Sequence, residues 1–229
     1  MSEKFQKTGS DALDDLIGGG LCPGILTQVY GEPSSGKSTI CVMASVACLR
    51  SGKRVLFLDS EGFSAERFRQ VAGTDALELA QNLFLFEPED FSQQTAMLRN
   101  LDSLLQEGAG LLVVDSLTGL YRSQLERGRD AMQRLTGQVL LLLGYARRYG
   151  IPVLVSNQVY MDPEKNTFVG LGGTALEHLS KVIVRLERKN HVRRATLVKH
   201  RSKPPGSYFD FEITNEGIRV CTGEVAGKD

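Results

Sequence analysis

Short apolar runs at 26–30, 54–59, 83–86, 111–115 and 152–156 alternate with helical patterns near 38–50, 64–72, 92–106 and 130–148. Strand-length apolar runs separated by helices are the signature of β-α-β units, whose right-handed crossovers build a mostly parallel sheet covered on both faces. After residue 180 the rhythm changes. Residues 181–201 form two strand patterns joined by a tight turn at 189–192, and 207–214 supply a third, so the sheet is predicted to end in antiparallel strands. The fold class is therefore α/β, a mostly parallel central sheet with helices on both faces and antiparallel C-terminal strands.

No linker, repeat or low-complexity tract interrupts the 229 residues, which reads as one domain. It divides into an entry segment (1–24), a core (25–180), a C-terminal β extension (181–220) and a tail (221–229). The first residues are too polar for a signal peptide and no apolar run reaches membrane-spanning length, so a reduced cytoplasmic protein with no membrane partner is expected. Cys22, Cys41, Cys48 and Cys221 show no close ligand spacing and no neighbouring histidines, which argues against a cysteine metal site. Net charge is zero but unevenly spread: 59–107 carries ten carboxylates against three arginines, and 185–203 eight Lys/Arg against one Glu.

The most specific chemistry is at 31–39, GEPSSGKST, which follows the first strand pattern and opens the first long helix. Glycines at 31 and 36 let the backbone turn tightly and bring N–H groups close to phosphate oxygens, and the helix N-terminus favours an anion. Gly31, Glu32, Pro33, Ser34, Ser35, Gly36, Lys37, Ser38 and Thr39 form the expected phosphate cradle. Lys37 is placed to reach the β- and γ-phosphates and Ser38 to hold Mg²⁺. The run 111–116 ends in Asp115, a second Mg²⁺ contact through water at the neighbouring strand tip.

Hydrolysis of ATP needs a group that orients and deprotonates water, and 57–62 places Asp59 and Glu61 at the same sheet edge. Glu61 takes the base role in this reading; the competing one is a solvated charge or a helix cap. Gln158, ending the strand at 153–158, has an amide suited to sensing the γ-phosphate or the water without adding charge. Two long loops, 119–130 and 159–173, follow strand ends at the edge where open α/β sheets bind ligands.

As a set and in this order, these motifs resemble the RecA/RadA recombinase ATPase family, most closely its archaeal RadB branch. The resemblance runs through 8–31, 31–39, 57–68, 111–122, 155–159, 170–178 and 199–214. It implies a RecA-like P-loop ATPase core, Glu61 at the catalytic carboxylate position and Arg67 packing on the adenine. It also makes 119–130 and 159–173 the DNA-facing loops, with Arg122, Arg127, Arg129 and Lys165 for phosphates and Phe168 for base stacking. Two departures stand out. No helix-hairpin-helix domain precedes the core, and the aromatic-x-x-Ala segment that docks one recombinase subunit on the next has as its nearest counterpart 5–8, which ends in threonine.

Residues 199–201 look like the Lys-x-Arg finger that related cores place against a neighbour's γ-phosphate. Cations on alternate residues of one strand share a face, so Lys199 and Arg201 could engage one nucleotide; the other reading makes them part of a solvated or DNA-binding hairpin. The expected function is an ATP-binding, weakly hydrolysing, DNA-binding accessory of recombination and repair, assisting a RadA-type recombinase. It would bind single-stranded DNA with little sequence preference and self-associate weakly or conditionally. The alternatives are a KaiC-like regulatory ATPase and a nucleotide-gated adaptor with negligible hydrolysis.

Overall fold

The computed structural model describes residues 5–162 and 167–221. Among the described residues nine strands form one sheet, in the order β11-β10-β9-β8-β1-β5-β4-β2-β3. The parallel part comprises β1 (Leu26–Gly31), β2 (Arg54–Asp59), β3 (Leu83–Phe86), β4 (Ala109–Asp115), β5 (Val153–Asn157) and β8 (Val182–Lys189). β4 and β5 are buried at every position, as strands covered on both faces must be. Antiparallel β9 (Val192–Lys199), β10 (Tyr208–Thr214) and β11 (Gly217–Val220) then extend the sheet. The 189–192 turn lies where the sequence placed it, with Asn190 at a φ of 53°. The last strand is an addition to the expected three.

Two cores flank the sheet. One packs α1 (Asp11–Leu16), α2 (Lys37–Arg50), α3 (Ala65–Ala72) and α4 (Ala76–Ala80) on one face. The other packs α5 (Phe91–Arg99), α6 (Asp102–Gln106), α7 (Arg129–Tyr149) and α8 (Gly173–Leu179) on the opposite face. Buried residues on α2 occur all around the helix, because sheet, neighbouring helices and β11 enclose it. α7 instead buries a stripe through Ala131, Leu135, Gln138, Val139, Leu142 and Ala146, and ends at Gly150 in the left-handed conformation.

Three expectations are corrected. The single helix predicted at 92–106 is two, because the chain turns at Asn100 to bury Leu101 and present Asp102 to Arg148 (3.0 Å) and the Tyr149 hydroxyl (2.7 Å) on α7. The loop 119–130 is largely a 3₁₀ turn, Tyr121–Arg127, anchored by buried Tyr121, and Arg129 already belongs to α7. The loop 159–173 contains a two-stranded hairpin, β6 (Val159–Asp162) with β7 (Thr167–Gly170), before α8 begins.

The entry segment folds onto its own chain. Gln6 bridges Leu21, and buried Thr8 gives both its N–H (2.9 Å) and its hydroxyl (2.8 Å) to Asp14 Oδ1. Ser10 caps α1. Among the described residues no helix is long and apolar enough to cross a membrane.

Candidate nucleotide and DNA site

The phosphate loop joins β1 to α2, and its glycines are sterically required. A Cβ on Gly31 would lie 2.1 Å from the Leu186 carbonyl oxygen, and Gly36 sits at a φ of 105°. Lys37, 8% exposed, donates to the carbonyls of Gly31 and Glu32, both at 2.9 Å. Burial lowers its pKa, opposed by the nearby carboxylates Glu61 and Asp115. These two carboxylates and the lysine thus share one small region. Ser38 is exposed at the start of α2, and its hydroxyl is near enough to Asp115 to help lower that carboxyl's pKa. A hydroxyl beside a carboxylate is an oxygen donor set suited to a hard cation such as Mg²⁺.

Asp115 ends β4, 2% exposed, and accepts from the Ser156 hydroxyl on β5; burial raises its pKa, with the Ser156 and Ser38 hydroxyls opposing. Asp59 ends the adjacent β2 and accepts the N–H groups of Glu61 and Gly62, both at 2.7 Å. Burial pushes its pKa up to about 6. Asp59 therefore shapes the turn that presents Glu61. Glu61 itself is exposed, and its Oε1 accepts from the Ser116 hydroxyl (2.5 Å) and from Gln158 Nε2 (2.8 Å). The sequence proposed Glu61 and Gln158 separately; the fold makes them direct partners.

Behind Gln158 lies a buried relay. Thr118 donates to Asn157 Oδ1 at 2.6 Å and accepts the Gln158 N–H at 3.0 Å. Asn157 donates to the Leu171 carbonyl at 2.8 Å, and the Leu171 N–H returns to the Gln158 carbonyl at 2.8 Å. These bonds close the base of the β6–β7 hairpin beside the glutamine that touches Glu61. Sequence reasoning missed Ser116, Thr118, Asn157 and Ser156. Ser116 and Thr118 closely follow Asp115, and Ser156 and Asn157 precede Gln158, so the clustering of small polar residues just past two apolar runs was the available signal.

The candidate DNA residues lie at the same edge. Arg122, Arg127 and Arg129 are exposed and carry no ion pair among the described residues. Phe168 on β7 is 38% exposed, and Tyr160 on β6, which the sequence did not single out, is 47% exposed. Lys165 lies outside the described residues.

Arg67 and the Lys-x-Arg segment occupy surroundings that the sequence did not foresee. Arg67 donates to the carbonyls of Thr214 (2.6 Å), Asn215 (3.3 Å) and Gly217 (3.0 Å), which ties α3 to the β10–β11 turn. Lys199 ends β9 and donates to the Glu177 carbonyl of α8 at 2.7 Å. Arg201 lies beyond the strand in a bend, so the alternate-residue argument for a shared face fails. A register shift near Ile183 and the docking of His200 on the Ile17 carbonyl (3.1 Å) turn the chain there. Lys199 also sits at the end of β9 away from the phosphate loop, since Gly31 is level with Leu186, and Leu186 with Ala195. The basic stretch is partly neutralised: Arg185 and Lys189 pair with Glu187, and Arg194 with Asp210.

Residues 5–221 match the Rad51 family. The DNA repair and recombination protein RadB of Methanoculleus marisnigri is 57% identical over 216 residues, covering 93% of this chain and 96% of the relative. Its counterpart in Archaeoglobus fulgidus is 41% identical over 222 residues, covering 95% and 99%. A crystal structure of the RadB recombinase superposes with a TM-score of 0.81 at 38% identity, covering 93% of this chain and 98% of that one. The parallel sheet with its antiparallel extension is thus a RecA-like α/β fold, and the chain belongs to the Rad51 family, alongside its archaeal RadB members.

Proposed function

We propose that this protein is an ATP-binding, slowly ATP-hydrolysing, DNA-binding accessory of homologous recombination and repair that assists a RadA-type recombinase. The observation that carries this reading is the bonded path from Glu61 through Gln158 to the base of the β6–β7 hairpin. It joins a hydrolytic carboxylate to a segment bearing exposed aromatics. Residues 31–39 would hold ATP, Arg67 and the β10–β11 turn would flank the base, and Ser38 with Asp115 would hold Mg²⁺, which supplies charge neutralisation when bound. Glu61 orients a water and accepts its proton. Ser116 and Gln158 hold Oε1, which would leave the other oxygen for the water.

Arg122, Arg127, Arg129 and Lys165 would contact phosphates, with Phe168 and Tyr160 stacking on bases, a combination that suits single strands and reads little sequence. Self-association would be weak or conditional. The nearest counterpart of a subunit-docking segment, 5–8, is bonded to its own chain.

The experiment is ATP turnover with and without single-stranded DNA, next to DNA binding across a salt series. Log affinity should fall with log salt at a slope of about −0.7 per neutralised phosphate. Binding indifferent to salt would contradict the phosphate contacts.

A further inference from the structure

Arg193 is the second residue of β9, at the end of the sheet where β1 runs into the phosphate loop, and its Nε donates to the Ser34 carbonyl at 3.0 Å. Ser34 has a φ of 62°, in the left-handed region. An L-residue is disfavoured there and stays only where its surroundings hold it. The next turn of the loop leans on the same wall: a Cβ on Gly36 would meet the ring of Phe211 at 3.4 Å, and Phe211 is the cross-strand partner of Arg193. The C-terminal β extension therefore braces the loop from outside.

Other hairpin cations are committed elsewhere, Arg185 and Lys189 to Glu187 and Arg194 to Asp210. Arg193 has no carboxylate partner among the described residues and lies directly across from Arg188, an arrangement of like charges that a strand pair does not favour for its own stability. Its placement is explained by the loop.

We infer that Arg193 is a positioning residue of the phosphate loop: by holding the Ser34 carbonyl it keeps the loop in the left-handed turn that aims its N–H groups at a nucleotide's phosphates. The inference rests on the nucleotide-binding reading above and adds a residue outside the loop that sets the loop's conformation.

The test is titration of the full chain with a fluorescent ADP analogue. Arg193→Met should weaken binding about tenfold, equivalent to about 1.4 kcal/mol. Arg193→Gln, which keeps a donor without the charge, should stay within about threefold of the unchanged protein, the range of one weakened hydrogen bond. Glycine adopts positive φ without a steric cost, so in a Ser34→Gly background Arg193→Met should cost less than about twofold. If Arg193→Met does not melt cooperatively, Arg193→Val replaces it, since valine suits a strand and equally lacks a donor. An affinity unchanged by loss of the donor, or a loss of the same size with and without Ser34→Gly, overturns the inference. Lys37→Ala measured alongside separates the two levels. Loss of binding there with none in Arg193→Met removes only the role of Arg193, whereas unchanged binding in Lys37→Ala removes the nucleotide reading itself.

Discussion

Asp59 ends its strand and Glu61 follows two residues later, and the two do different work. Glu61 is exposed and receives two side-chain donors on one oxygen, whereas Asp59 is buried and receives two backbone N–H groups. Glu61→Gln keeps the shape but removes the proposed base, so turnover should drop by about 10²–10⁴-fold while nucleotide affinity holds. Unaltered hydrolysis would move the base role away from Glu61. For Asp59, burial raises the pKa from 3.8 to about 6. A carboxyl with a raised folded pKa binds more protons folded than unfolded between those values, so its ionisation lowers stability as pH rises through about 4 to 6. Asp59→Asn can still accept both N–H groups. It should raise the melting temperature of the nucleotide-free protein at pH 7 and flatten that part of the pH profile, by an amount up to about 3 kcal/mol. Thermal melts at pH 4 and pH 7 check this; a lower melting temperature for the variant at pH 7 would contradict it.

At the scale of elements, β2 and β3 could be read to the residue from the sequence, because each is an apolar run bounded by turn residues. The helix break at Asn100–Leu101 could not, since it depends on what Asp102 meets on α7. The β6–β7 pairing was hidden because strands of four residues within a long polar stretch look like any loop. In the candidate site the phosphate loop was readable from spacing. The relay through Thr118 and Asn157 was not, because its members lie on different strand ends and meet only in the fold. Thr118→Val preserves volume but removes the hydroxyl that serves both Asn157 and the Gln158 N–H, leaving buried groups unpaired at a cost of about 1–3 kcal/mol. The proposed coupling predicts that this variant binds ATP normally yet loses DNA stimulation of turnover. Stimulation equal to that of the unchanged protein would disconnect hairpin and active site. Replacing Tyr160 and Phe168 by alanine should weaken single-strand binding by about 1–3 kcal/mol per lost stack, measured by fluorescence anisotropy.

Across the whole molecule, the sheet gathers the phosphate loop, Glu61 and Gln158 at one edge and carries Lys199 to the other. Lys199 lies about 20 Å along β9 from Arg193, at roughly 3.3 Å per residue, and cannot reach its own phosphate loop. If Lys199 and Arg201 act on a nucleotide, they act on a neighbour's. An isolated monomer should then be a slow ATPase, because a cation supplied in trans contributes about 10³–10⁵-fold in related phosphoryl transfers. Mixing a Lys37→Ala chain with a Lys199→Ala/Arg201→Ala chain should restore part of the rate. A double variant as active as the unchanged protein would assign those cations to another role. The proposed coupling of nucleotide chemistry and DNA contact in one site can be read from ATP turnover of the purified chain with and without saturating single-stranded DNA at low salt. Such coupling gives slow turnover that rises on adding DNA and is abolished by Lys37→Ala; a rate that DNA leaves unchanged, or that survives Lys37→Ala, would rule it out.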